Sequence, residues 1–277
     1  MAGRIAFQGE PGAYSHQACR EARPDMEAVP YPTFEDAIEA VRRGDVDLGM
    51  IAVENSTYGR VADVHHLLPE SGLHIVDEAF VRVHVNLLGV PGAKLADVKR
   101  VRAMSILLGQ ARGFIRDHGL ETLNWSDNAA AAREVASLRN PEEAAMASEL
   151  AAEIYGLNVL ARHVEDEGNN TTRFLIMARE LDLKRRGQHG MITSFVFRVR
   201  NIPAALYKAM GGFATNGVNM TKLESYMVGG TFTATQFYAD VEGHPDDRNV
   251  KLALEELAYF CTELNLLGVY PSDPRRH

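Results

Sequence analysis

Arg4-Ile5-Ala6-Phe7-Gln8-Gly9-Glu10-Pro11-Gly12-Ala13-Tyr14-Ser15 reads as a strand over residues 4–7, a glycine-bearing loop, and a helix starting at His16 and continuing to residue 22. Strand, loop, helix is the grammar of α/β folds. The next segment repeats it. Thr33 can cap a helix with Asp36 near its third position, Phe34, Ala37, Ile38 and Val41 form the apolar stripe, and Gly44 ends it. Residues 48–53 then make a buried strand. It delivers Glu54-Asn55-Ser56-Thr57-Tyr58-Gly59 at its carboxyl end, where open α/β sheets collect ligands.

Strand-rich sequence continues over 75–80 and 81–90, and Pro91-Gly92 marks a turn. Helices are expected at 111–118, 129–137 and 141–155, the last with Pro141 in its first turn. The charged stretch 181–190, with Gly187 and Gly190, reads as an inter-domain linker. Beyond it come strand 193–199, helix 204–214, strand 218–227, a Gly229-Gly230 turn, strand 231–239, helix 246–260 and strand 264–269. That order is βαββαβ, a ferredoxin-like split unit. The expected organisation is a first region at 1–180, a linker at 181–190 and a second domain at 191–277.

With 277 residues the chain exceeds usual single-domain size. A net charge of -8 argues against nucleic acid as the main partner, because phosphate binding needs a concentrated basic face. Lys184-Arg185-Arg186, the one basic run, falls in the expected linker and reads as a solvated connector. Cys19 and Cys261 stand far apart without a spaced histidine, so neither a disulfide framework nor a zinc site is signalled. The first residues lead straight into strand-like sequence without a signal peptide, and no apolar stretch reaches membrane-spanning length. A soluble cytoplasmic protein without membrane contact is expected.

The polar run Asn169-Asn170-Thr171-Thr172-Arg173-Phe174 opens a strand that continues into Leu175-Ile176-Met177. It places hydroxyls and a guanidinium at an element's end, where sites are usually built. Arginine presents a planar fork that matches a carboxylate, and threonine can donate to a reacting oxygen. Together they suggest an anionic substrate carrying a hydroxyl. Asn-Asn-Thr-Thr is equally turn chemistry, and Arg173 could instead pair with Glu165, Asp166 or Glu167.

The glycine-bearing element Gly9 to Ser15, the Glu54-Asn55-Ser56 turn ending at Gly59, and Thr172-Arg173-Phe174, followed by the βαββαβ unit, occur in one order that resembles prephenate dehydratase. Ala152-Glu153-Ile154-Tyr155-Gly156-Leu157 adds a weaker match. The C-terminal unit resembles the ACT regulatory domain of these enzymes through Ile202-Pro203-Ala204-Ala205-Leu206-Tyr207-Lys208 and Val218-Asn219-Met220-Thr221-Lys222-Leu223-Glu224-Ser225. The resemblance implies conversion of prephenate to phenylpyruvate, water and carbon dioxide without metal or cofactor, inhibited by phenylalanine. It also implies a catalytic region of two α/β lobes around a cleft, similar to type II periplasmic binding proteins, and a homodimer or homotetramer.

By the same resemblance Thr172 is the essential residue, a positioned donor to the leaving oxygen. Arg173 either clamps a carboxylate or pairs internally with an acid such as Glu54. Ser15, Asn55, Ser56, Gln110, Asn170 and Phe174 are the expected substrate contacts, Ser15 from a helix start where the dipole favours anions. Ala204, Ala205, Leu206, Asn219, Leu223, Glu224 and Ser225 are the expected effector contacts. The chain departs from the family pattern in two places. Ala103-Met104 stands where a Ser-His pair is common, with Ala111 in place of Cys, and Ala204 and Tyr226-Met227 replace a Gly and an Arg-Pro in the ACT motifs. His65, His66, His74 and His84 read as surface or structurally satisfied histidines. Arogenate dehydratase and a non-catalytic amino-acid sensor are the alternatives.

Overall fold

A computed structural model describes residues 3–187, 189–227 and 234–276, so the expected turn at 229–230 lies outside the described residues. The chain forms two compact units, one of Met1–Val61 with Ala79–Phe174 and one of Ala62–Glu78 with Leu175–His277. This division differs from the one drawn at 181–190. The basic run is also not a free connector: Arg185 donates to Asp77 at 3.2 Å and Arg186 to Asp247 at 2.9 Å.

The first unit contains two lobes. In the first, strands Leu48–Asn55, Arg4–Gln8 and Glu27–Tyr31 lie side by side in parallel, and the start of Thr171–Ala178 runs next to Leu48–Asn55. Helices Tyr14–Ala22 and Phe34–Arg43 belong to this lobe. The second helix starts and stops as its sequence dictates. Thr33 Oγ1 accepts from the Asp36 backbone N–H at 3.0 Å, and Gly44 takes the left-handed φ of 83° that a C-cap favours.

The second lobe is a five-stranded sheet in the order Asn158–Ala161, Asn86–Gly89, Glu143–Ala147, Arg100–Ala103, Glu121–Asn124. The helix expected over 141–155 is corrected here. Glu143–Ala147 is a fully buried strand, and only Glu149–Tyr155 is helical, capped by the Ser148 hydroxyl on Ala151 N. Burial on both faces leaves no alternation to read, and Ala-Ala-Met-Ala has helical propensity that sheet pairing overrides. The helix expected at 111–118 begins earlier, as Ser105–Gln110, breaks at Ala111, and resumes as Arg112–Asp117.

In the second unit Met191–Val199, Ala205–Thr215, Met220–Met227, Ala234–Glu242, Arg248–Phe260 and Cys261–Pro271 follow in βαββαβ order. The four strands are antiparallel, with Met191–Val199 between Ala234–Glu242 and Cys261–Pro271. Both helices pack on the sheet face that carries Phe195, Phe197 and Phe237, where Phe213 stacks on Phe195 at 5.9 Å. Burial of four phenylalanines contributes about 1.5–3 kcal/mol each before entropy is counted.

Ala204 precedes the first of these helices with φ 60°, in the left-handed region. A Cβ is disfavoured there. Ala204→Gly is therefore expected to raise stability by about 1 kcal/mol, read as an upward shift of the urea midpoint; no shift or a loss would show that the turn tolerates the methyl group.

Candidate active site

Asn55, at the end of strand Leu48–Asn55, organises the site. Its side-chain carbonyl accepts from the backbone N–H of Thr57 at 3.0 Å and of Tyr58 at 3.1 Å. Those two donors set the amide orientation, so Nδ2 must face the other way. It donates to Asn170 Oδ1 at 2.6 Å and to Thr172 Oγ1 at 3.0 Å. Thr172 thus receives a hydrogen bond on its oxygen and keeps its own O–H available to donate.

The polar run is tied to the Glu54 turn by several further bonds. Ser56 donates from its hydroxyl to Asn169 O at 2.6 Å and accepts from Thr171 N–H at 2.9 Å, and its backbone N–H donates to Thr171 O. The single proton of Ser56 is therefore spent within the protein. Ser56 in this way joins the two loops. Arg173 donates from Nη1 to Glu54 Oε1 at 2.8 Å and its side chain is only 3 % exposed. Of the two roles open for Arg173, the internal pair is the one formed, and the partner is Glu54 rather than Glu165, Asp166 or Glu167. Phe174 is 1 % exposed. It holds a core position that anchors the strand behind Thr172.

A cavity of about 230 Å³ is lined by Thr57, Tyr58, Gly109, Gln110, Arg112, Glu165, Asp166, Glu167 and Asn170. Two of its buried polar atoms, Asn170 Nδ2 and Gln110 Oε1, have no hydrogen-bond partner among the described residues. A buried donor and a buried acceptor without partners are costly unless a ligand or water satisfies them. Asn170 Oδ1 accepts from Asn55, and its Nδ2 is without a hydrogen-bond partner among the described residues.

Ser15 does not line this cavity. It lines a second space of about 140 Å³ with Gln8, Gly12, Ala13, Tyr14, Met104, Asp127, Asn128 and Ser148. The loop before it is held against the second lobe. Ser148 donates to Gly12 O at 2.5 Å, Tyr155 donates to Pro11 O at 2.7 Å, and a Cβ on Gly12 would stand 2.8 Å from Ala151 Cα. Of the two residues at the Ser-His positions, Ala103 is buried core and Met104 lines the cavity. His84 is not satisfied by solvent alone: its Nδ1 lies 3.1 Å from Glu165 Oε1. The His65 side chain lies outside the described residues.

Asp127 was not singled out from sequence, although an Asp before an alanine-rich helix is an N-cap signal. Its Oδ1 accepts from Ala130 N–H at 2.8 Å at the start of helix Asn128–Leu138. Burial raises its carboxyl above the ordinary 3.8, with nearby Glu10 adding to the rise against two backbone donors. The folded protein therefore disfavours the ionised form, and the penalty is present above the ordinary value and absent below it. Asp127→Asn retains the cap and removes the charge. The variant is expected to melt above the wild type at pH 7, with a gap that closes as pH falls to about 3.8; a gap independent of pH would exclude the buried charge as its cause.

A family model described as prephenate dehydratase matches residues 5–182. The chain belongs to the prephenate dehydratase family. A bifunctional N-acyl-homoserine lactone acylase/prephenate dehydratase of Komagataeibacter europaeus is 51% identical over 272 residues, covering 98% of this chain and 97% of the relative. Arogenate dehydratase/prephenate dehydratase 1 of Arabidopsis thaliana is 38% identical over 284 residues, covering 98% and 72%. The solved prephenate dehydratase of Arthrobacter aurescens, in complex with L-Phe, is 29% identical with a TM-score of 0.89, covering 97% of this chain and 90% of that one. Family membership makes the chain a lyase. Among the described residues no helix is long and apolar enough to cross a membrane.

Proposed function

We propose that the chain is a cytoplasmic prephenate dehydratase of phenylalanine biosynthesis whose βαββαβ unit is an ACT domain that binds phenylalanine as inhibitor, in a homodimer or homotetramer. The observation that carries the catalytic part is the Thr172 hydroxyl, oriented by the same Asn55 amide that holds Asn170 at the wall of the cavity. In the reaction the bond to the leaving carboxylate breaks and its electrons complete the aromatic ring. The ring C–O bond breaks at the same time, and the oxygen departs as water once it takes up a proton. Thr172 supplies a hydrogen bond to that oxygen as charge develops on it. A threonine of ordinary acidity does not give up its proton outright, so the proton in the water comes from solvent. Asn170 and Gln110 hold the substrate's carboxylate and hydroxyl groups, and Ser15 adds a donor from the helix start.

For the effector, Ala204, Asn219, Leu223 and Ser225 are exposed, Ala205 and Leu206 are half-buried on the rim of the helix-covered core, and Glu224 is half-buried opposite Tyr238. That leaves them accessible to an amino acid held at an interface between two copies. The resemblance to an L-Phe-bound structure favours phenylalanine.

Arogenate is the second reading, favoured by Asp127 in the cavity beside Ser15, an acid able to meet an ammonium group. A third activity, cleavage of N-acyl-homoserine lactone, rests on the name of the Komagataeibacter relative alone. Burial pushes the Cys19 thiol up to about 12 and the Cys261 thiol up to about 11, so a thiolate nucleophile is not on offer near neutral pH. The deciding assay gives purified protein prephenate, arogenate and an N-acyl-homoserine lactone in parallel, with and without phenylalanine. Phenylpyruvate formation that falls with phenylalanine supports the whole reading. Preference for arogenate that is lost in Asp127→Asn moves the substrate, and folded protein without any turnover overturns the enzyme reading in favour of a sensor.

A further inference from the structure

His84, His163 and Glu165 offer two imidazoles and a carboxylate whose donor atoms all lie within 4.8 Å of one another. They come from the two passages between the lobes, residues 83–85 and 162–170, so nothing in the local sequence spacing marks them. His84 Nδ1 and Glu165 Oε1 are 3.1 Å apart. Two donors around one tetrahedral ion with bonds near 2.1 Å are separated by roughly 3.4 Å, so this pair is already at coordination distance.

The carboxylate is pre-set. Glu165 is buried at its side chain, and its second oxygen accepts from Val85 N–H at 2.9 Å, which leaves Oε1 aimed at the histidines. The passages are held in register by Val164 N–H on Val85 O at 2.8 Å and by Tyr14 O–H on His84 O at 2.9 Å. His163 stacks on His84 with ring centroids 4.1 Å apart and is itself exposed. The two rings are near-parallel, at 11°, so His163 must turn about its side-chain torsions for its nitrogen to meet the third position.

We infer that this cluster is a binding site for one borderline divalent transition cation, such as zinc, with the fourth position open to water. Two imidazoles and one carboxylate select that class over calcium or magnesium, which prefer all-oxygen shells. A bound ion would link the two passages between the lobes, and one of its ligands, Glu165, also lines the cavity that holds Gln110 and Asn170.

The test is isothermal titration of the chelator-stripped full chain with zinc chloride, repeated with cobalt chloride to read the visible bands of a tetrahedral site. His163→Asn suits the left-handed φ of 52° at this residue and removes one imidazole without touching the core. Glu165→Gln removes the carboxylate, and His118→Asn, at another exposed histidine, is the control. The expected result is one equivalent bound by the wild type and by the control, with binding weakened by roughly 100-fold in His163→Asn and Glu165→Gln and the cobalt bands lost. Because His163 is exposed, its variant keeps the test decisive even if Glu165→Gln does not fold. Equal binding by His163→Asn and wild type, or no binding at micromolar zinc, overturns the site.

Discussion

Thr172→Ala is expected to lower kcat for prephenate by roughly 10²–10³-fold, the cost of removing one donor aimed at developing charge, with KM changed far less. The fold should be unaffected. Thr172 is half-buried, its backbone remains in strand Thr171–Ala178, and the alanine removes only a hydroxyl that accepts from Asn55 and a methyl group. Two companion variants separate a hydrogen-bond role from a packing role. Thr172→Ser keeps the hydroxyl and is expected to recover most of the rate. Asn55→Asp keeps the oxygen that accepts from Thr57 and Tyr58 but converts the Nδ2 donor into a carboxylate oxygen. That oxygen captures the Thr172 proton, so turnover should fall almost as far as in Thr172→Ala. Steady-state assays with matched circular dichroism spectra check all three. An Asn55→Asp enzyme with wild-type kcat would show that the Thr172 proton is not the working group.

Arg276→Ala is expected to destabilise the second unit by about 3–5 kcal/mol, the usual consequence of taking the cation from buried anions. Arg276 grips Glu78 through two bonds, Nε to Oε1 at 3.0 Å and Nη2 to Oε2 at 2.7 Å, and its Nη2 lies 3.4 Å from Asp240 Oδ2. Its Nη1 donates to Thr221 at 3.0 Å. The side chains of both acids are fully buried and that of Arg276 nearly so. Asp240 also accepts from Ser194, and Glu78 from Asp273 N–H. Arg276→Lys, which keeps the charge and loses the fork, should fall between the two. Glu78→Gln in the Arg276→Ala background should restore part of the loss. Urea unfolding measures each. A loss below about 0.5 kcal/mol would place the pair with exposed ion pairs, which contribute little.

The elements with local signals were legible from sequence. Thr33, Asp36 and Gly44 mark both ends of one helix, the strand into Glu54 is a plain apolar run, and the βαββαβ order follows from alternating periods and turns. The ordered motifs led to the family, and a match over residues 5–182 agrees. Glu143–Ala147 was misread because a strand buried on both faces loses the alternation by which strands are recognised.

In the site, sequence alone determined which groups are available: Asn55, Gln110, Asn170 and Thr172 as neutral donors and acceptors, and Arg173 with two possible roles. Only the tertiary structure decided how each is used. Hydrogen bonds are shared out by geometry across 113 or more positions of chain, and they spend the Ser56 proton on Asn169, give Arg173 to Glu54 and leave the Thr172 proton unspent. The same holds for Arg276 with Glu78 and for His84 with His163 and Glu165, whose partnership depends on distances through space that no local pattern records.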